Sequence, residues 1–177
     1  MLSLIAMIVG GLIVALAAIA IVFVTGMRRK SPTVRRTVRR FIRAFVNPRM
    51  LATAGTPGAY ASVIRHVGRM TGRVYRTPVV AELTGDGFVI ALPYGTTANW
   101  VRNVLVSGSA TLVHEGTTYR VDRPEILPLA LMADHFPAKD RRNHDRFKVD
   151  QCLRVRRIDP HTSKSAASNR ELVTEMR

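Results

Sequence analysis

The chain has 177 residues, with 27 lysines and arginines against 12 aspartates and glutamates, which gives a net charge of +15. Its single cysteine, Cys152, excludes a disulfide framework and gives no sign of an oxidising compartment. The five histidines are not spaced as metal ligands with one another or with this cysteine, so we predict no metal site. Beyond an apolar and basic N-terminal part, about 125 residues remain, which suits one domain with one core.

An uncharged apolar run opens the chain. Residues 4–24 carry no charge, and 21 residues of α-helix are about 30 Å long, which is the thickness of the hydrocarbon layer of a bilayer. We therefore predict a transmembrane anchor over residues 1–27. A cleaved signal peptide is disfavoured, because no basic residue precedes the run and its small-residue motif lies inside it. Since Arg28, Arg29 and Lys30 follow the run, we expect a single-pass protein of the cell membrane with a cytoplasmic C-terminal domain.

A basic segment follows the anchor. Residues 28–49 hold nine basic residues and no acid, and apolar residues recur between them at helical spacing: Val34, Val38, Phe41, Ile42 and Phe45. Within residues 28–58 we predict an amphipathic helix that lies on anionic lipids, and then a Pro/Gly-rich linker that starts at Asn47 and Pro48. A nucleic-acid arm is the rival interpretation. It is disfavoured because residues 50–177 carry 18 basic and 12 acidic residues and no nucleic-acid-binding motif, so we predict no nucleic-acid partner.

Short segments rich in β-branched and aromatic residues dominate the remainder. We predict strands over 60–67, 75–83, 87–92, 109–114, 118–123 and 152–158. Hairpin turns at 84–87 and 115–117 favour antiparallel pairing. A helix is predicted from Asn99 to near Gly108, with one or two helical turns within 128–145. The fold class is mainly β (α+β), a small β-barrel or sheet over residues 59–158, and the polar tail over 159–177 is expected to be disordered.

Three segments of this domain together resemble a known family. They are HVGRMTGRVYRTPV (66–79), ALPYG (91–95) and NWVRNVLVSGSATLVHEGTTYRV (99–121). Their order and spacing are similar to those of the deazaflavin (F-420)-dependent nitroreductase and quinone reductase family. The resemblance implies a small split β-barrel that binds coenzyme F-420, with FMN a less favoured cofactor, and delivers hydride to a quinone, a nitro compound or a similar acceptor. The predicted anchor makes membrane quinone the natural acceptor, and analogy with the superfamily suggests a homodimer.

The resemblance also implies a set of site residues. Guanidinium groups suit phosphate and carboxylate oxygens, and glycines let a turn approach a ligand closely. The residues expected at the anionic end of the cofactor are Arg69, Thr71, Gly72, Arg73 and Arg76. The residues expected to line the cofactor groove are Pro78, Trp100 and Asn103, and Tyr94 is the hypothetical catalytic proton donor. Without the downstream segments, the same turn would be interpreted as an ordinary hairpin with solvated arginines.

Two places depart from the pattern of the family, the turn at Met70 and residues 92–95, where some quinone-reducing members place a serine that this chain lacks. The turn usually carries a lysine or arginine where this chain has Met70, so a cation expected to meet the phosphate of the cofactor is missing. Losing one charge-assisted contact costs about 1.5–3 kcal/mol, or about tenfold to a hundredfold in affinity. The departure at Met70 keeps two alternatives open. One is a non-catalytic barrel that binds a fatty acid or another apolar ligand at the membrane, and the other is a structural membrane protein with an inactive barrel.

The remaining titratable residues are expected to be structural or solvated. His66 and His114 fall in predicted strands and are interpreted as satisfied structural residues. His135 and His144 lie in a charged helical region and are expected to be solvated. Cys152, at the start of an apolar strand, is expected to be a small buried hydrophobic residue.

Overall fold

A long apolar helix, α1 (Leu2–Arg28), begins the computed structural model, which describes residues 2–158. The tail predicted over 159–177 therefore lies outside the described residues. The Met7–Arg28 part of α1 is long and apolar enough to span a membrane, and its most apolar window is not buried against the rest of the chain. The predicted apolar helix is confirmed, whereas its lipid environment and orientation remain predictions.

A tight turn joins α1 to the next helix. Lys30 adopts the left-handed conformation with φ of +55°, and the backbone N–H of Ser31 donates to the carbonyl of Gly26 over 2.9 Å. A side chain at Gly26 would stand only 2.5 Å from a methyl group of Val34, so glycine is required for the two helices to pack this closely. The turn folds the chain back beside the end of α1.

The basic segment, defined as residues 32–51, is helical throughout. It consists of α2 (Pro32–Phe41), a π-helical turn (Ile42–Val46) and α3 (Asn47–Leu51). The backbone N–H of Asn47 bonds to the carbonyl of Ile42, five residues back, as a π turn requires. Pro48 then occupies the first turn of α3, where the N–H that proline lacks is not needed. The predicted helix is confirmed, but it continues through Pro48, where the sequence predicts the start of the linker.

Seven strands form one antiparallel sheet. The strands are β1 (Ser62–Val67), β2 (Val74–Val79), β3 (Ala81–Leu83), β4 (Gly87–Ala91), β5 (Ser109–His114), β6 (Thr117–Pro128) and β7 (Gln151–Arg157). Helix α4 (Asn99–Ser107) connects β4 to β5, while a 3-10 helix (Leu129–His135) and α5 (Ala138–Phe147) connect β6 to β7. The order across the sheet is β2-β1-β5-β6-β7-β4-β3. This architecture confirms the predicted mainly β (α+β) fold class.

The two edges of the sheet meet at Val80. Strands β2 and β3 are the opposite edges, and Val80 alone separates them along the chain. Because two Cα–Cα steps cover about 7 Å, the sheet must curl until its edges lie side by side. The sequence analysis predicted one strand over 75–83, but the chain changes partner here: Val79 pairs with β1, and Ala81 pairs with β4. The result is a half-barrel whose edges approach without pairing.

Helix α4 fills the inside of the curled sheet. Val101 and Val104 of this helix are fully buried. The apolar side chains that form a cluster with them come from all seven strands: Ile64, Val79, Ala81, Phe88, Ile90, Leu112, Val121, Leu153 and Val155. The helix ends at Gly108, whose φ of +69° is the left-handed cap that glycine favours. The first turn of α4 is thereby fixed beside the β1–β2 hairpin.

A smaller apolar cluster covers the other face of the sheet. Val89 and Cys152 on the strands pack against Leu129 and Phe136. Burial raises the pKa of the Cys152 thiol to about 11, so the predicted small buried hydrophobic residue is confirmed.

Two of the histidines predicted to be solvated differ in their surroundings. The ring of His144 packs edge-on against Phe136 with centroids 4.9 Å apart, and burial lowers its pKa. The predicted solvation of His144 is therefore wrong, because α5 places this residue against Phe136 of the smaller apolar cluster. His135 is exposed, as predicted.

Strand β6 is longer than predicted. It continues past Arg123, the predicted end, to Pro128. Arg123 has a φ of +48°, and the pairing with β7 shifts register between Asp122 and Glu125. A bulge of this kind removes Pro124 from the hydrogen-bond ladder, so that the proline does not end the strand.

Gly87 offers a direct test of the β4–β7 packing. A methyl group at Gly87 would overlap the Val155 carbonyl oxygen and lie 2.8 Å from the Cα of Arg156, whereas at Gly85 it would meet nothing within 4 Å. We expect Gly87→Ala to lower the free energy of unfolding by about 3 kcal/mol, because the obstruction is backbone. Urea unfolding of the full chain in detergent measures this loss. Gly85→Ala is the matched control, and equal stabilities of the two variants would contradict the packing described.

Candidate functional site

A cavity of about 1080 Å³ lies between the barrel and the N-terminal helices. Four parts of the barrel domain contribute to its wall: the β1–β2 hairpin, the edge strand β2, the connection from β4 into α4, and α5. The basic segment forms a further wall, and Phe23 and Met27 at the end of α1 complete the lining. The site is therefore shared between the barrel and the helices that precede it.

The β1–β2 turn is held in one conformation by its glycines. The N–H of Gly68 donates to the Arg73 carbonyl over 2.8 Å, and the N–H of Gly72 donates to the Gly68 carbonyl over the same distance. Gly72 has a φ of +65°. A side chain at Gly68 would stand 2.5 Å from both the Thr71 hydroxyl and the Tyr75 ring, so these two groups occupy the space that a larger residue would need.

Arg69 and Asn103 join the turn to helix α4. The Asn103 side-chain oxygen accepts hydrogen bonds from the Arg69 backbone N–H at 3.2 Å and from its guanidinium at 2.9 Å. A second guanidinium nitrogen of Arg69 lies 3.5 Å from the Asn99 side-chain oxygen. Asn103 is buried, so its amide has a defined orientation: the oxygen faces Arg69 and the NH₂ faces away.

His66 completes this network as a neutral ring. The Asn103 NH₂ donates to His66 Nδ1 over 3.1 Å, so that nitrogen carries no proton. His66 Nε2 then carries the proton and donates to the Thr77 hydroxyl at 3.2 Å. Burial lowers the pKa of His66, which agrees with the neutral form. The ring also stacks on Tyr75, with centroids 5.9 Å apart. His66 is hydrogen-bonded as the sequence analysis expected, and it also lines the cavity.

The structure brings most of the sequence-predicted site residues to this cavity. The predicted residues that line it are Arg69, Thr71, Arg76, Pro78, Tyr94, Trp100 and Asn103. Gly72 and Arg73 do not line it; Arg73 is exposed, and its carbonyl holds the turn. Pro78 lies on edge strand β2, where the missing N–H leaves no gap in the sheet. Met70 reaches the cavity with its side chain 86% exposed.

Tyr94 is half-buried in the loop that precedes α4. Burial raises the pKa of its hydroxyl, so the phenol remains protonated at neutral pH. Within residues 2–158 this hydroxyl has no hydrogen-bond partner. The proton of Tyr94 is therefore available to a ligand in the cavity.

A tyrosine–aspartate pair lines another part of the cavity. The Tyr60 hydroxyl donates to a carboxylate oxygen of Asp140 over 2.7 Å, and burial together with this bond raises the pKa of Tyr60 to about 12. Asp140 is buried in the first turn of α5, where a carboxylate is favoured by the helix dipole. Burial raises the pKa of Glu82, and the charge of Asp140 raises it further. Among the described residues, Asp140 supplies the one carboxylate in the cavity lining.

The basic segment contributes lining residues that the sequence analysis assigned to lipid. Arg36, Arg39, Arg40 and Arg43 line the cavity. Together with Arg69 and Arg76 they place six arginines around a cavity with one carboxylate. The signal that could have found them is their spacing, since positions i, i+3, i+4 and i+7 share one face of a helix. Pattern alone does not reveal that a protein wall lies opposite that face.

The neutral His66 ring can be tested by reversing the group that faces it. In Asn103→Asp, one oxygen still accepts from Arg69, while the other faces His66 Nδ1 and favours a proton there. We expect this variant to raise the pKa of His66 above its wild-type value, as measured by NMR titration of the histidine ring signals. Asn99→Asp is the control, because it adds the same charge beside Arg69 and away from the ring. A greater rise in Asn99→Asp would contradict the orientation of Asn103.

The lowered pKa of His66 in the folded protein also predicts how the free energy of unfolding depends on pH. The ordinary pKa of histidine is 6.5, and that of His66 is lower in the folded protein. The unfolded chain therefore binds the proton first as pH falls below about 6.5, and stability declines through this range until the folded pKa is passed. We expect urea midpoints to fall with pH in the wild type and to fall less in Asn103→Asp. A steeper fall in that variant would argue against a ring that is held neutral.

Comparisons with known proteins give weak similarities. No protein-family model matches the chain, and no curated protein matches it. Solved structures that match include an F-420 reductase, with 12% identity and a TM-score of 0.40 over 61% of this chain and 92% of the other. They also include HutZ, the heme storage protein from Vibrio cholerae, with 11% identity and a TM-score of 0.41 over 56% of this chain and 82% of the other. Both similarities are too low to carry the function of either protein over to this chain.

Proposed function

We propose that this chain is a membrane-anchored, F-420-dependent oxidoreductase that delivers hydride to a membrane quinone or a similar lipid-soluble acceptor. The observation that carries the proposal is the composition of the cavity lining. Arg69 and Arg76, from the segment 66–79 that resembles the F-420-dependent family, share the cavity with Phe23 and Met27 from the end of the apolar helix. A cofactor site on the barrel would thus open beside the membrane.

The residues present suit a deazaflavin cofactor. A volume of about 1080 Å³ is at the upper end of ordinary small-molecule sites and accommodates three fused rings with a charged side chain. Tyr75, Trp100 and Pro78 offer flat apolar surface, and the arginines offer donors for phosphate and carboxylate oxygens. When bound, the reduced cofactor supplies the hydride. Among the barrel residues, Arg69 is the best positioned to hold an anion, since Asn103 and Asn99 fix its guanidinium.

The protein would position both reactants and supply a proton. Reduction of a quinone to a hydroquinone takes up one hydride and one proton. The proposed donor is Tyr94, because it lines the cavity and its hydroxyl is unpartnered among the described residues; since burial raises its pKa, it would release the proton only as negative charge develops on the quinone oxygen. Apolar residues at the end of the apolar helix, Phe23 and Met27, would exclude water from the acceptor. The buried network of His66 and Asn103 would keep the turn rigid.

A second candidate function is an apolar-ligand carrier at the membrane. The observation that favours it is Met70, which occupies the place of the expected cation and reaches the cavity. Apolar side chains on several helices also face the cavity: Phe23, Met27, Ile42, Val46, Met50 and Phe147. Such a wall suits an alkyl chain, and the arginines would suit the carboxylate of a fatty acid.

A binding titration separates the two functions. The full chain, in nanodiscs of phosphatidylcholine, is titrated with F-420, FMN and oleate and followed by fluorescence. The oxidoreductase predicts micromolar binding of F-420 that weakens as salt rises, and oxidation of reduced F-420 by a long-chain quinone. Binding of oleate with no binding of either flavin-like cofactor would overturn the oxidoreductase and favour the carrier.

Tyr94 provides the test of the proton donor. We expect Tyr94→Phe to reduce quinone turnover at least about a hundredfold, the lower end of the range of about 10²–10⁴ that general acids contribute, because the variant keeps the ring and loses the proton. The affinity for F-420 should be unchanged, and this internal control separates chemistry from binding. Full turnover in Tyr94→Phe, with the same dependence on pH as the wild type, would exclude Tyr94 as the donor.

A further inference from the structure

We infer that the arginine face of the basic segment, formed by Arg36, Arg39, Arg40 and Arg43, binds the anionic end of the ligand that occupies the cavity. The chemical class of that ligand is an amphiphile with an apolar or aromatic body and a phosphate or carboxylate group. Its identity as F-420 rests on the proposed function, whereas the anion site itself rests on the geometry described here. From the sequence, these arginines are predicted only to contact anionic membrane lipids.

The helix directs the four side chains to one side. Their positions are i, i+3, i+4 and i+7, which lie within one stripe of a helical surface. All four line the cavity. Arg35 and Arg49 of the same segment do not line it. Of the six arginines within residues 32–51, four therefore line the cavity and two lie on another surface of the segment.

Contacts with the barrel fix the segment in this orientation. The Arg39 guanidinium donates to the Thr97 hydroxyl over 2.9 Å, in the loop before α4. Arg35 lies against Gly95, where a Cβ atom would stand 2.9 Å from a guanidinium nitrogen. Lys30, just ahead of α2, forms an ion pair with Asp150. These contacts press the segment onto the barrel rather than leaving it free on a lipid surface.

The charges on this face are uncompensated within the described residues. None of the four arginines forms a salt bridge there, whereas Arg141, Arg154 and Arg156, elsewhere in the chain, do. Burial lowers the pKa of Arg39, and the neighbouring cations Arg35, Arg102 and Arg36 lower it further. Like charges held this close repel one another, and an anion placed among them would remove that repulsion. The arrangement is typical of a site that awaits a negatively charged ligand.

The arginine face also replaces the cation that is missing at Met70. The resemblance implies a lysine or arginine on the β1–β2 turn at that position, and this chain has none. The basic segment supplies four guanidinium groups to the cavity that the β1–β2 turn also lines. Guanidinium forks bind phosphate and carboxylate oxygens in two-point contacts, which a single lysine cannot do.

Lipid headgroups offer the same phosphate chemistry, so the experiment must distinguish the two sources. Arg36, Arg40 and Arg43 are exposed enough to meet either a ligand or a headgroup. Phe41 and Phe45, whose rings lie 5.1 Å apart, are 59% and 56% exposed and do not line the cavity. Lipid contact is best assigned to these two phenylalanines, which leaves the arginine face to the cavity.

The test compares two double variants of the full chain in phosphatidylcholine nanodiscs. Arg36→Gln with Arg40→Gln removes two charges from the cavity, and Arg29→Gln with Arg49→Gln removes two charges outside it. Three probes are titrated: F-420, the same deazaflavin without phosphate and glutamates, and inorganic pyrophosphate. We expect the first variant to weaken F-420 and pyrophosphate at least tenfold and the control to change them less than twofold. The uncharged deazaflavin should bind equally to all three proteins.

The outcomes separate the inference from the proposed function. If the wild type binds pyrophosphate but neither deazaflavin, the proposed function fails, and loss of pyrophosphate in the cavity variant still supports the anion site. Equal affinities in the two double variants would overturn the inference, as would a wild type that binds no pyrophosphate. If the cavity variant loses only its flotation on vesicles containing phosphatidylglycerol, the headgroup is the ligand and the inference is wrong. Arg43→Gln, tested alone, gives the same comparison with a smaller change.

Discussion

The curl of the sheet is the constraint on which the rest of the structure depends. Because Val80 alone separates the two edge strands, the sheet bends around α4, and apolar side chains of all seven strands form one cluster with Val101 and Val104. The same bend leaves β2 as an unpaired edge beside the first turn of α4. An edge of this kind must be paired or covered. Here the basic segment lies against it, and the space left between them is the cavity.

Hydrogen bonds between neighbouring side chains hold the barrel side of the cavity in place. The buried Asn103 amide holds Arg69 on one side and His66 on the other, and each bond fixes the donor or acceptor role of the next. Such a chain tolerates few substitutions, because an unpaired member would be buried without a partner. The turn, the helix and the edge strand consequently form one stable wall. The opposing wall is attached by fewer contacts and differs from it in being rich in positive charge.

The sequence predicted the fold better than the site. Apolar length predicted α1, and β-branched segments between glycine-rich turns predicted strands near their observed places, because these patterns report local preference and burial. Val80 and the bulge at Arg123 escaped prediction, since a change of strand partner leaves no trace in a run of similar residues. Most of the predicted site residues do line one cavity, as Arg69, Trp100 and Asn103 illustrate. The pattern that assigned Arg36 and Arg40 to lipid did not reveal that they also line the cavity, because an arginine on a helix looks the same in sequence whether it faces lipid, water or protein.

The position of the basic segment has a practical consequence for biochemical work. A soluble barrel beginning after the Pro/Gly-rich turn would retain all seven strands and the buried network around His66. It would nevertheless present an open trough, because one side of the pocket belongs to the excised helices. If the cavity binds the ligand proposed above, affinities measured with such a fragment would reflect the barrel wall alone and would be weaker than those of the full chain. The N-terminal helices are thus part of the cavity lining as well as the predicted membrane anchor.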